Sequence, residues 1–460
     1  MAARLFLSTS QALAAETLVE APKELHYPPI HIQVTESKLG PEMSKDKEEL
    51  VKNSQILEDI LHGSGAVYDD PELEKAIQGL VPVDQMGDEA RGFYFRVYIL
   101  KDPNLNAVTT PSGSIYVNSG LLAVLDNFDQ LRAVMAHESH HAIGQDMVYE
   151  YKNSKDKIGF FKVFNILAAP AVAYAIGESD NSTGKVIANS YTGASVLMSI
   201  SFQLSLYGYS RGRENDADVY AMEMLEKNHK DVYEVKRLFQ KFDDEKQKYS
   251  KEIFQTHLFL DHETARQRMD RVEKFAKEHG HPQDSGAPPL DMNYYELTRD
   301  VRIVNARLNL RIGRVQHALD DLNRLETVFP KDARVKNGLG EAYAKLAEDR
   351  KPLQSELSGK EWKKIKHEKE EDQRVRWAAE AMTYFQNAAA LDPSYPDPYR
   401  GEALLKETLK ENQKAVELFQ KYLELAPQAK DHRYVRAKLE RLKGLIKKER
   451  DKQAEKKGDK

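Results

Sequence analysis

The chain of 460 residues contains no cysteine. Disulfides, a thiolate zinc site and a cysteine lipid anchor are therefore excluded, while the redox compartment stays open. Uninterrupted hydrophobic runs long enough to span a bilayer are missing too. The longest candidate, residues 158–177, is marginal in length and contains Lys162, Asn165 and Pro170. A second apolar run, 196–209, is diluted by Ser199, Ser201, Gln203 and Ser205. Both read as buried or mobile helices, with contact at a membrane surface as the alternative. Nor is there a large excess of one charge: 68 Lys and Arg stand against 73 Asp and Glu, a formal net charge of -5. That balance gives no reason to expect nucleic acid or an anionic membrane surface as a partner. What remains is a chain long enough for two or three domains with proper cores.

Within it, His137-Glu138-Ser139-His140-His141 reads H-E-x-x-H. Asn127, followed three residues later by Gln130, resembles a capping pair, and Leu131, Val134 and Met135 have the spacing of a core-facing helix. On a helix, residues four apart share a face, so His137 and His141 can bind one metal ion together. Glu138, beside the first histidine, is placed to act as the base on an attacking water, the division of labour in zinc metalloproteases. The bland alternative is a histidine-rich solvated helix that matches by coincidence. A third protein ligand should lie downstream. The extended pattern ending in a third histidine fails: Gly144 is in place, but Met147 stands at the last position. Glu214, opening Glu214-Asn215-Asp216-Ala217-Asp218 ahead of a helical run at 219–225, supplies a carboxylate instead and leaves a fourth position for water. Asp218, one turn on, can accept a hydrogen bond from a ligand histidine. Alone, E-x-x-x-D is an ordinary solvated helix face; the upstream motif gives it meaning.

Further stretches carry a resemblance. They are 102–107 (DPNLNA), 111–122 (PSGSIYVNSGLL), Met135-Ala136-His137-Glu138 and Arg213-Glu214-Asn215-Asp216-Ala217-Asp218. Together they resemble the gluzincin zinc metalloproteases, the family of the HtpX heat-shock protease and the CAAX prenyl proteases. Within it the similarity is to the periplasmic branch that bears tetratricopeptide repeats, like the β-barrel assembly-enhancing protease. The resemblance covers residues 47–275. It implies one Zn2+ per chain held by His137, His141 and Glu214, Glu138 as catalytic base, and polypeptide substrates. It also implies a histidine after the third ligand that can approach the metal and mask it or help bind substrate. His262 takes that place as a second catalytic residue, although the family's His-Pro pair is here His262-Glu263, and His257 is a rival. Without the resemblance, either histidine is an ordinary surface residue.

The coarse organisation follows from composition and period. Residues 1–45 hold Pro22, Pro28, Pro29 and Pro41 and read as a leader, with the look of a secretory signal remnant, and an extended strap. Residues 46–279 form the expected zinc metalloprotease domain. In it 47–62 has helical spacing, Phe93, Phe95, Val97 and Ile99 mark a strand, and 106–110 pairs with 114–118 across Pro111-Ser112-Gly113. Residues 280–289 are a linker rich in Gly and Pro. In 290–460, Ala381, Phe385, Ala388 and Pro393 recur 34 residues later as Ala415, Phe419, Tyr422 and Pro427, which is the tetratricopeptide period. Ala318, Leu322, Leu325 and Pro330 fit the same frame, with a charged insertion at about 349–373, and residues 433–460 read as a capping helix and charged tail. A plain helical bundle is the alternative. The expected fold class is α+β: a mostly helical zincin-type metalloprotease domain with a small sheet, then an all-α repeat domain.

Two functions fit. One is a zinc-dependent endopeptidase of the bacterial periplasm that cleaves unfolded or misassembled proteins and docks clients or protein partners through its repeats. The other is a chaperone or adaptor that keeps the metal for structure. Glu138 favours the first, because a structural site needs no base.

Overall fold

The computed structural model describes residues 45–48, 50–52, 54, 58, 61–62, 65–85, 95–153, 210–250, 265–366 and 368–458. The leader and strap, the apolar runs at 158–177 and 196–209, and both His257 and His262 lie outside the described residues. The chain divides into two compact units, one running Val19–Leu308 and the other containing Asn309–Lys460. No described helix is long and apolar enough to cross a membrane.

The first unit is mostly helical around a three-stranded sheet in the order β1-β3-β2, an α+β arrangement. The strands are β1 (Arg96–Leu100), β2 (Ala107–Thr109) and β3 (Ser114–Asn118). β2 and β3 form the expected hairpin, antiparallel with Ala107 opposite Val117 and Thr109 opposite Ile115. Gly113 sits at φ 92°, a left-handed conformation that costs glycine little, and donates its N–H to the Thr110 carbonyl to close the turn. β1 runs parallel to β3. Every β3 residue is buried, as suits a central strand rich in β-branched and aromatic side chains. The outer edge of β1 is covered locally. Gln78, at the end of α1 (Pro71–Gln78), accepts from the Val97 N–H and donates to the Phe95 carbonyl, both at 2.9 Å. β2 forms the other edge, and no described strand pairs with its outer side.

A short helix α2 (Ser119–Val124) leaves β3 directly and leads into α3 (Phe128–Ile143). A side chain at Gly120 would bring Cβ within 2.3 Å of the Pro103 carbonyl oxygen, so only glycine lets these backbones meet. Asn127 caps α3 through Oδ1, 2.8 Å from the Gln130 N–H. Asn127 and Gln130 both donate to the buried Glu234 carboxylate. α3 carries the H-E-x-x-H residues and packs on β2, β3, α5 (Arg211–Lys227) and α6 (Tyr233–Lys248). Between them come α4 (Asp146–Asn153) and, after α6, α7 (Ala265–Glu278).

Residues 281–291, where the linker is expected, run without helix or strand, and the division between units falls later, inside α8 (Met292–Arg311). The first part of α8 holds the lead into α3. Arg302, 1% exposed, donates to the carbonyls of Ala123 at 2.8 Å and Leu125 at 2.6 Å. Its guanidinium also lies over the Tyr294 and Tyr295 rings, and the Tyr294 hydroxyl donates to the Leu122 carbonyl. A buried charge is tolerable only with such a full set of partners.

In the second unit the described residues are helical: α9 (Val315–Val328), α10 (Ala333–Glu348), α11 (Lys351–Glu356), α12 (Gly359–Ile365), α13 (Glu370–Leu391), α14 (Asp397–Thr408), α15 (Asn412–Leu425) and α16 (His432–Gly458). Ala318, Leu322 and Leu325 on α9, Ala381, Phe385 and Ala388 on α13, and Ala415, Phe419 and Tyr422 on α15 are all buried. Pro330, Pro393 and Pro427 each follow the end of those helices, where a missing N–H costs nothing. The charged insertion forms α11 and α12. Its Glu356, fully buried, accepts from the N–H groups of Gln316 and His317 and so caps α9.

Candidate active site

Three side chains from two helices meet in the first unit. His137 and His141 stand one turn apart on α3, and Glu214 opens α5. His137 Nε2 lies 3.0 Å from His141 Nε2, 3.6 Å from one Glu214 oxygen, while His141 Nε2 lies 3.5 Å from the other. The donor atoms all fall within 4.8 Å of one another, a group that could hold a metal ion. His141 also belongs to a second such group, with His140 and Asp146.

The ring orientations test that fit. His137 Nδ1 faces Asp218 at 3.2 Å, and His141 Nδ1 faces Asp146 at 2.8 Å. Each carboxylate accepts a hydrogen bond from Nδ1–H, so in the neutral ring each Nε2 is left with its lone pair. Two lone pairs aimed at one point beside a carboxylate repel unless a cation or proton lies between them. Tetrahedral zinc, with ligands at about 2.0–2.2 Å, separates its donors by about 3.3–3.6 Å; the two histidine-to-Glu214 spacings fall in that range, and the 3.0 Å between the histidines is slightly shorter. The donor set fits zinc.

Each orienting carboxylate is itself held. Arg268 on α7 donates to Asp218 through Nε at 2.8 Å and also through Nη2, and Arg271 adds a bond at 2.9 Å. Asp146 pairs with Arg213, whose guanidinium lies over the Tyr149 ring at 4.3 Å. Burial alone would raise the Asp218 carboxyl, but the Arg268 charge and the bonds from His137 and Arg268 hold it well below the usual carboxylate range. Burial opposes charging His137, yet Asp218, Glu214 and Glu138 outweigh it and raise the ring. His141 goes the other way: burial, then repulsion from His137, His140, Arg268 and Arg213, lowers it well below its ordinary value.

Glu138 is 3% exposed and next to this group. Burial pushes its carboxyl up to about 7; the His137 charge and the Thr109 hydrogen bond hold it back, and Glu214 adds to the rise. A carboxylate poised there can take and return a proton near neutral pH.

His137, Glu138, His141 and Glu214, picked from the sequence, are thus brought together, and Asp218 faces His137. His257 and His262 lie outside the described residues. Sequence reasoning did not single out Asp146, Arg213, Arg268 or Thr109 for these contacts. Asp146 follows Gln145, whose φ of 54° takes the chain out of helical register, so spacing gives no warning of its contact with His141. Arg213, directly before Glu214, and Arg268 and Arg271 in the first two turns of α7 are the charges that could have pointed to the paired carboxylates.

The family comparison falls on the same unit. The model of Peptidase family M48 matches residues 68–262. Mitochondrial metalloendopeptidase OMA1 of Schizosaccharomyces pombe is 21% identical over 206 residues, 45% of this chain and 52% of that protein. The chain therefore spans about half the length of the curated relative it matches. A solved structure of an IFIT1 monomeric mutant with m7Gppp-AAAA covers 85% of this chain and 80% of its own at 14% identity, with a TM-score of 0.23, too low to bear on fold or function. The family match lies within the first unit, and it and the OMA1 likeness support a metallopeptidase.

Proposed function

We propose that the chain is a zinc-dependent endopeptidase that cleaves unfolded or misassembled proteins. The observation that carries the reading is the convergence of His137, His141 and Glu214 donor atoms within 4.8 Å beside a buried Glu138. Zinc, when bound there, would supply Lewis acidity that polarises a peptide carbonyl and acidifies water. Glu138 takes a proton from the attacking water and returns it to the leaving amine. Asp218 and Asp146 keep the two Nε2 lone pairs facing the metal position. β2, the edge strand beside α3, offers its backbone to an extended substrate, a mode of binding that demands little of the substrate sequence and suits unfolded clients.

The helices of the second unit are proposed as tetratricopeptide repeats that dock clients or protein partners; the buried recurring frame of Ala381, Phe385 and Ala388 with Ala415, Phe419 and Tyr422 supports this. Quality control in the bacterial periplasm is the proposed setting, on the leader-like first residues and the branch the sequence resembles. His262, with His257 as rival, is proposed as the further histidine of the site.

The test is cleavage of casein by the full chain. We expect cleavage that a zinc chelator abolishes and added zinc restores, and a loss of about 100-fold or more in E138Q with the metal retained. Chelator-insensitive cleavage, or E138Q at the parental rate, would overturn the reading; no cleavage at all would favour the chaperone or adaptor.

A further inference from the structure

Thr109 closes β2, and its side chain is 2% exposed. Its Oγ1 lies 3.0 Å from Glu138 Oε2 and 3.0 Å from the Glu138 backbone carbonyl oxygen. We propose that Thr109 is the positioning residue for Glu138, its hydroxyl holding the base carboxylate in one orientation beside His137, His141 and Glu214. This role rests on the peptidase reading of the same site.

The strand fixes the direction of the hydroxyl. Pairing of Thr109 with Ile115 and of Val108 with Tyr116 sets the register of β2, and the alternation of a strand then sends the two side chains to opposite faces. A β-branched side chain has a stiff χ1, so the hydroxyl is aimed before Glu138 needs it. Glutamate is the opposite case, with three torsions to order and a charged head that is costly to bury unpaired. Among the described residues, Thr109 supplies the side-chain hydrogen bond to the Glu138 carboxylate. The hydroxyl has one proton and two acceptors at 3.0 Å, so it is shared between the Glu138 carboxylate and the Glu138 carbonyl, and either bond keeps the base against the sheet. Displacing a catalytic group by about 1 Å costs rate out of proportion to the energy of the lost contact.

Thr109→Val keeps shape and packing but removes the hydroxyl; Thr109→Ser keeps the hydroxyl. With casein as substrate and the zinc-loaded full chain, we expect T109V to lower kcat about 10- to 100-fold with KM within about two-fold. Bound zinc per chain should stay at the parental value, and T109S should recover kcat to within about three-fold. In an E138Q background T109V should add nothing, because a positioning residue has no work left once the base is gone. T109A stands in should T109V not fold. Parental kcat in T109V and T109A, an equal loss in T109S, or a full further loss in E138Q would each overturn the role. Absence of chelator-sensitive cleavage by the parental chain would instead bring down the peptidase reading, and this role with it.

Discussion

At the scale of single residues the two histidines are built alike by unrelated means. His137 is oriented by Asp218, one helical turn beyond Glu214 on α5, and that carboxylate is gripped by Arg268 and Arg271 from α7. His141 is oriented by Asp146, just past its own helix, with Arg213 as the counter-charge. An arginine stands behind each carboxylate, Arg268 holding the Asp218 carboxyl well below the usual range, and a carboxylate on Nδ1 makes Nε2 a stronger donor. Asp146→Asn keeps size and burial but weakens that bond and can present an N–H where the ring needs an acceptor. Zinc affinity measured by competition with a chelator should fall about 10- to 100-fold in this variant. Unchanged affinity would mean that Asp146 serves only the fold around Gly144, where a Cβ would already come within 2.9 Å of its Oδ1. The legibility of these residues differs for a physical reason. His137, His141 and Asp218 obey helical spacing and can be read from the chain. Asp146 and Thr109 reach the site through a left-handed step and a strand 29 residues away, and no local period encodes either.

At the scale of elements, period and turn chemistry carried far and long-range pairing did not. The hairpin of β2 and β3 follows from a Pro-Ser-Gly turn between β-formers, and its register is the expected one. The parallel partnership of β1 with β3 has no such local signal, because parallel strands need a crossover whose partner is chosen by the packed core. Arg302 capping α2 and Glu356 capping α9 are likewise satisfied across gaps that a sequence pattern does not bridge. The recurring small and aromatic positions were legible, and their reason lies in the packing. A Cβ on Gly340 of α10 would come within 2.6 Å of the Phe385 ring, and one on Gly401 of α14 within 2.4 Å. Two helices thus approach one aromatic ring so closely that only glycine leaves room. Gly340→Ala gains helix propensity but overpacks this contact, so we expect a net loss of about 1–3 kcal/mol in the second unit, read by denaturant unfolding followed at α13. A stability equal to or above the parental value would show that the ring moves aside.

For the whole molecule, the division into units separates what a metal can stabilise from what it cannot. The proposed zinc donors lie on α3 and α5 of the first unit, and the helices α9 and α15 lie in the second. A ligand that binds the native state alone stabilises it by an amount that grows with its concentration over its dissociation constant, about 2.7 kcal/mol at a hundred-fold excess. Without the cation, the facing Nε2 atoms of His137 and His141 repel beside the buried Glu138, so we expect chelation to loosen the joint of α3 and α5. Amide hydrogen exchange on the full chain, with and without a chelator, locates that effect. Chelation should speed exchange across 128–143 and 211–227 and leave 315–328 and 412–425 at the parental rate. Faster exchange in every helix would mean that the metal supports the chain globally. No change in either unit would mean that these donors hold no metal in solution, and the three side chains would then need another explanation for facing one another across 3.0–3.6 Å.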